Sequence, residues 1–343
     1  MNRLFRLIGL LGILLILLLS YLYYIWFVKE ATNLPKGQTA ELYLKTGSTS
    51  IDLFKLLRER NLIQNMDDFE VFTVFKRMKN VQSGHYVLTS GMNCNQVVNT
   101  FIKGLQTPVK VVITPSRLPE DLAHKLSLAL ELDSITILTA LKSDSIAHEY
   151  GFSNYDFYTM FLCDTYEMYW NSSMEKLLAR MKSEYDNFWD QERKAKAQEI
   201  NLNLKEVITL ASIVYAEQSQ FSDERARIAG LYLNRLEIGM ALQSDPTLIY
   251  GIGDFNLKRV LNKDKQIDTP YNTYMYSGLP IGPIYSPNKS SIDAVLNPED
   301  NNYLYMCAKE DFSGYHSFAT NLRQHNNNAR RYQRALDRTH IYR

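Results

Sequence analysis

The sequence predicts an α+β protein in three parts: an N-terminal transmembrane helix (7–28), a small α+β module (40–110) and a larger mixed α+β region (111–343). Three observations lead there. Residues 7–28, "LIGLLGILLILLLSYLYYIWFV", carry no charge. Between 40 and 104 a strand–turn–helix pattern occurs twice. From about 204 the texture changes to one long apolar-periodic helix, followed by irregular segments rich in Gly, Pro, Asn and Tyr.

The apolar run spans about 33 Å as a helix, enough for a bilayer's hydrocarbon core. Arg3 and Arg6 lie in the short tip (1–6) before it, and Tyr21, Tyr23, Tyr24 and Trp26 cluster at its far end. That arrangement predicts an N-terminus in the cytoplasm and the bulk of the chain outside. No small-x-small cleavage pattern follows, so the expectation is an uncleaved anchor rather than a signal peptide. Residues 29–39, "KEATNLPKGQT", read as a polar linker.

In the module, "AELYLKTGSTSIDLFKLLRERNLI" predicts a strand, a Gly-Ser turn and an amphipathic helix with Ile51, Leu53, Phe54 and Leu57 on its apolar side. "MDDFEVFTVFKRM" predicts a second helix, and "GHYVLTSGMNCNQVVNTFIKG" repeats strand, turn and helix. Beyond it, "PVKVVITP" (108–115) is a strand and 118–132 a helix with Pro119 in its first turn. A charged, helical middle runs to about 200.

Composition removes several functions. The 38 basic and 37 acidic residues nearly balance and form no long basic stripe, so nucleic acid is not an expected partner. Cys94, Cys163 and Cys307 are widely spaced and odd in number, which fits neither a disulfide framework nor a zinc site. The six histidines include no His-x-x-x-His pair, and no metal or other cofactor is expected. Ser-x-x-Lys occurs at 173–176 and 286–289, but the Lys-Thr-Gly at 45–47 precedes both, the reverse of the penicillin-binding order.

One helix carries a residue that suggests chemistry. In "LKEVITLASIVYAEQ", Val207, Leu210, Ala211 and Val214 form an apolar stripe, with Lys205, Thr209 and Ser212 opposite. Glu217 falls on the flank of the stripe. A carboxylate there loses hydration, which favours its protonated form. Two readings follow: a boundary glutamate that bends out to water, or a general acid.

The segment "LASIVYAEQSQFSDERARIAGLYLNRLEIGMALQSDPTLIYGIG" (210–253) resembles the central motif of the endolytic murein transglycosylases, the MltG/YceG-like family. "YNTYMYSGLPIGPIYSPNKSSIDAVLNP" (271–298) and "HSFATNLRQHN" (316–326) resemble its two later motifs, in the same order. The module of 40–110 resembles the LysM-like domains that bind glycan chains. The resemblance implies a lytic transglycosylase region (111–343, core motifs 204–326) with Glu217 as catalytic acid. It departs from the pattern at Tyr215, where many members carry a second glutamate, and at Gln218, Cys163 and Ile281. The implied reaction cuts peptidoglycan between N-acetylmuramic acid and N-acetylglucosamine within a strand and leaves a 1,6-anhydro end. The implied partners are glycan strands, the bacterial cytoplasmic membrane and peptidoglycan synthases, in cell wall growth. "LQSDPT" offers Gln243, Ser244 and Asp245, and "YNTY" offers Tyr271, Asn272, Thr273 and Tyr274. These groups suit sugar contacts, and equally suit turns. His316 is either site wall or domain packing. The alternative to an enzyme is a non-catalytic, wall-binding membrane scaffold of the synthesis machinery, for which a carboxylate at 217 would have no use.

Overall fold

The computed structural model describes residues 2–257 and 259–338. Met1, Lys258 and 339–343, which fall in the expected tip and C-terminal region, lie outside the described residues. The architecture is mixed α+β, and the contacts divide it into two compact units.

The first unit comprises residues 1–111 with two short returns, 129–132 and 167–173. It begins with helix α1 (Asn2–Tyr23), which continues as a π-helical turn over Tyr24–Val28. Leu4–Val28 is long and apolar enough to cross a membrane. The unit then builds a β–α–α–β arrangement from β1 (Thr39–Leu44), α2 (Ser50–Glu59), α3 (Met66–Phe75) and β2 (Gly84–Thr89), followed by α4 (Cys94–Ile102). β1 and β2 pair antiparallel in the register Thr39–Thr89 to Leu44–Gly84. Alternation sends Leu42 and Leu44 inward. Capping boxes at Thr49/Asp52 and Asn93/Gln96 start α2 and α4. Leu53, Leu57, Phe69, Phe72, Tyr86, Val97 and Phe101 close the core, each fully buried and contributing roughly 1.5–3 kcal/mol.

The supposed linker differs from the expectation. Ala31 and Thr32 are buried, and bridges join Glu30 to Asn93 and Thr32 to Ile63. Residues 30–32 are an integral edge of the module, because their backbone groups find partners there. The apolar helix therefore enters the module without a free spacer.

The second unit holds 112–128, 133–166 and 174 onward. Its elements are, in chain order, β3 (Val109–Ile113, beginning in the first unit), α5 (Pro119–Ala129), α6 (Ser134–Leu141), α7 (Asp144–Glu149), β4 (Asp164–Met168), α8 (Met174–Phe188), α9 (Gln191–Glu199), α10 (Leu204–Glu217), α11 (Arg225–Glu237), α12 (Asp245–Ile252), α13 (Lys289–Leu296), β5 (Tyr305–Ala308), β6 (His316–Ala319) and α14 (Leu322–Arg338). β3 pairs with β4. β5 and β6 form an antiparallel hairpin, on which α14 packs.

α10 is the hub, packed against α11, α12, α13 and α9. Asn203 and Glu206 cap its start. Of its expected polar face, Lys205 is exposed but the two hydroxyl residues are not. Thr209 and Ser212 are as buried as the apolar stripe. Their hydroxyls are satisfied internally, Thr209 donating to Lys205 O (2.9 Å) and Ser212 to Thr209 O (2.7 Å), while Ser212 also accepts from the Ile284 N–H (3.0 Å). Small hydroxyls let neighbouring segments approach this helix from every side.

Candidate active site

Glu217 is the last residue of α10, one position before the Gln218 C-cap. The negative end of the helix dipole lies there and disfavours a further negative charge. The side chain is half-buried in the wall of a cavity of about 270 Å³. Two hydroxyls converge on one of its oxygens: Tyr232 donates to Oε1 at 2.8 Å and Ser244 at 2.6 Å. Burial pushes the Glu217 carboxyl above its ordinary value; the Ser244 and Tyr232 hydroxyls and His316 pull the other way, and Asp245 adds to the upward push. The net direction is up, which suits a proton donor.

Each partner is placed by its own element. Tyr232 comes from α11 and is buried, so its ring packs in the core while its hydroxyl reaches the site. Arg235, one turn further, pins the approach to Ser244: Nε donates to Leu304 O at 2.6 Å and Nη1 to Leu242 O at 2.6 Å. Gln243 adopts a left-handed backbone (φ 50°), a conformation uncommon for a residue with a Cβ, and its N–H donates to Thr273 O at 2.9 Å. Ser244 is the N-cap of α12, yet its hydroxyl makes no cap bond and turns to Glu217 instead. A serine that gives up its cap in this way marks the geometry as organised around the carboxyl.

The opposite wall is the β5–β6 hairpin, through Met306, Cys307, Ala308 and His316. His316 is held twice by one buried carboxylate: its Nδ1 lies 2.8 Å from Glu224 Oε2, and its N–H donates to Glu224 Oε1 at 2.9 Å. Burial pushes Glu224 up, but the bonds from the His316 ring and N–H and from the Gln218 amide outweigh it and hold the carboxyl below its ordinary value. Glu224 is therefore an ionised acceptor that fixes the His316 ring and backbone in the cavity wall. Gln218 donates to Glu224 Oε2 at 2.8 Å and to Gly314 O at 3.0 Å. The residue beside Glu217 thus ties the end of α10 to the histidine wall.

The expected site residues separate into two groups. Glu217, Gln243, Asp245, Tyr274 and His316 line the cavity, Ser244 reaches it through its hydroxyl, and Tyr274 donates to Asp245 Oδ1. Tyr271, Asn272 and Thr273 do not line it. Asn272 is buried and bound to the backbone, donating to Lys265 O and Ile267 O and accepting from Tyr274 N and Met275 N. Thr273 supports the floor, accepting from Ser244 N at 3.0 Å and sharing a bond with Thr247. Tyr271 packs edge-on against Tyr250, 4.7 Å between centroids. For these three the turn and packing reading describes what they do here.

Glu224, Tyr232 and Arg235 were not anticipated. Tyr232 and Arg235 carry one signal, polar tips on an otherwise apolar face of α11. Glu224 carries none, since its partner lies 92 residues away. Tyr215 lies outside the cavity lining, packed edge-on against Tyr285 with the Arg225 guanidinium over its ring.

A shielded glutamate whose carboxyl is pushed up, two hydroxyl donors and a carboxylate-bound histidine surround one polar cavity of this α+β protein, an arrangement that general acid–base chemistry can use. The chain belongs to the YceG-like family, whose sequence profile matches residues 42–331. An endolytic murein transglycosylase of Bacillus subtilis (strain 168) is 26% identical over 314 residues, covering 86% of this chain and 85% of that protein. One of Streptococcus pneumoniae (strain ATCC BAA-255 / R6) is 24% identical over 320 residues; the match covers 82% of this chain and 56% of that longer protein. A crystal structure of a YceG-like protein from Listeria monocytogenes shares the fold, with a TM-score of 0.57 and 24% identity over 84% of this chain and 98% of that one.

Proposed function

We propose that this chain is a lytic transglycosylase of peptidoglycan, anchored in the bacterial cytoplasmic membrane, that cuts glycan strands internally during wall growth. The observation that carries this reading is Glu217. The motif resemblance assigns it the acid's role, its carboxyl is pushed up by burial, and two hydroxyls orient it in a cavity. The names of the relatives support the same substrate class.

Protonated Glu217 donates to the glycosidic oxygen between N-acetylmuramic acid and N-acetylglucosamine, and the C1–O bond breaks. The leaving sugar departs as an alcohol. The muramic 6-hydroxyl then attacks C1 and gives its proton to the Glu217 carboxylate, which restores the acid and closes a 1,6-anhydro ring. No water is consumed. The nucleophile belongs to the same sugar, which gives it a high effective concentration. Ser244 and Tyr232 stabilise the transient carboxylate, and His316 with Glu224 forms the facing wall. Residues 40–110, in the LysM-like reading, bind glycan. The N-terminus lies in the cytoplasm and the catalytic region outside, where peptidoglycan synthases supply new strands.

Mass spectrometry of peptidoglycan digested with the purified chain tests this. Chains ending in 1,6-anhydro-muramic acid are expected, with internal cuts outnumbering released disaccharides. Reducing ends would mean that water attacks, with Asp245 in the same cavity as the second carboxylate. Binding without cleavage would favour the scaffold.

A further inference from the structure

We propose that the outer face of α3 is a second membrane contact, seated in the anionic headgroup region of the bilayer that α1 crosses; this rests on reading α1 as a membrane anchor. α3 buries Phe69, Phe72 and Thr73 in the core of the module. On its other side Val71, Val74 and Phe75 stand out at 59%, 77% and 62% exposure. Their i, i+3, i+4 spacing makes one continuous apolar stripe.

The stripe adjoins the anchor directly. The π-helical turn over Tyr24–Val28 drives Ile25 and Trp26 into the core of the module. Phe75 stacks on Trp26, with centroids 5.0 Å apart and planes at 29°. Tyr24 and Val28, on the same turn, are exposed. A hydrocarbon layer takes about 20 helical residues, and counted from the first residue after Arg6 that length ends at Trp26. The depth of Trp26 is therefore the outer edge of the hydrocarbon, and Phe75 shares it. With Ala31 and Thr32 packed into the module, no spacer lifts α3 away from that level.

Charge supports the same occupant. Lys76, Arg77 and Lys79 follow the stripe at once, whereas the anchor is followed by the balanced pair Lys29 and Glu30. The acids of α3 sit at its other end: Asp67 and Asp68 lie in the first turn, and Glu70 is paired with Arg58 at 2.7 Å. The helix is thus polarised, apolar and cationic toward the anchor and acidic away from it. An interfacial segment on anionic lipid has this form. Such seating would hold the module, and any glycan bound to it, close to the membrane surface.

The test uses the full chain in vesicles of phosphatidylethanolamine and phosphatidylglycerol with brominated acyl chains. Val74→Trp and Ile51→Trp add a tryptophan at two equally exposed helical positions of the module, 77% and 76%; Ile51, expected on the apolar side of α2, faces outward instead. The emission added at 74 should shift to the blue and be quenched about twofold or more, while that at 51 stays unquenched. Lys76→Glu with Lys79→Glu, or phosphatidylcholine in place of phosphatidylglycerol, should weaken the quenching at 74. A chain that floats with vesicles yet shows no quenching at 74 overturns this contact and leaves the anchor standing. Equal quenching at 74 and 51 overturns the assigned face. A chain that does not float refutes the anchor and this proposal together. Unquenched emission at 74 in a chain that cross-links to itself through α3 would assign the stripe to a second copy.

Discussion

Glu217→Gln separates the chemical role of this side chain from its structural one. Glutamine keeps the shape, and its Oε1 can still accept from Tyr232 and Ser244, the two bonds of 2.8 and 2.6 Å. Only the transferable proton is lost. Removing a general acid lowers turnover by roughly two to four orders of magnitude, equivalent to about 3–5 kcal/mol of transition-state stabilisation. Stability should move the other way. The folded-state carboxyl is raised above its ordinary value of 4.5. Above that value the folded chain binds more protons than the unfolded one, and the contribution of Glu217 to stability falls as pH rises through the folded pKa. The amide does not titrate. The melting temperature of the variant should match that of the parent near pH 4 and rise above it toward pH 8, by about 2 °C for each kcal/mol in a chain of this size. Release of muropeptides from purified peptidoglycan measures the first effect, and calorimetry across that pH range the second. Turnover within a few-fold of the parent would refute the acid assignment. A gap that narrows with rising pH would refute the argument from burial.

Other outcomes follow from the same geometry. Ser244→Ala removes a hydroxyl that holds the Glu217 carboxyl down, so the alkaline limb of the rate profile should move to higher pH; movement to lower pH would contradict this sign. Glu224→Gln should destabilise the fold by about 2 kcal/mol or more at neutral pH. Because Glu224 is held below its ordinary value, its stabilising effect is present above the unfolded pKa and is lost as pH falls through the folded one; denaturant titrations should therefore show the gap closing in acid. His316→Gln should lower kcat more than it raises KM if the ring contacts the reacting sugar, and a pure KM effect would reduce it to a binding wall. Asn272→Ala strips two carbonyls and two N–H groups of their partner, and should lower stability by about 2–3 kcal/mol with a secondary loss of activity.

Much of this was open to the sequence because it depends on local order. An uncharged run has to become a helix that hides its backbone, and alternation in 39–44 has to face a core. Pro119 marks the start of α5 by chemistry confined to the first turn. The shielded placement of Glu217 at the flank of the apolar stripe of α10 was legible for the same reason, since helical periodicity sets it. Three conclusions needed the tertiary structure. Thr209 and Ser212 read as solvated, and only the segments packed over them make them core. Asn272 and Thr273 read equally well as sugar contacts or turn formers, and only the tertiary structure shows that the Asn272 amide is bound to nearby backbone and the Thr273 hydroxyl to Ser244 and Thr247. Glu224 had no sequence signal, because its meaning comes from His316, 92 positions later, arriving on the β5–β6 hairpin. Periodicity tells which side of an element is shielded, but a hydrogen bond requires a partner within about 3 Å, and chain folding alone brings that partner there.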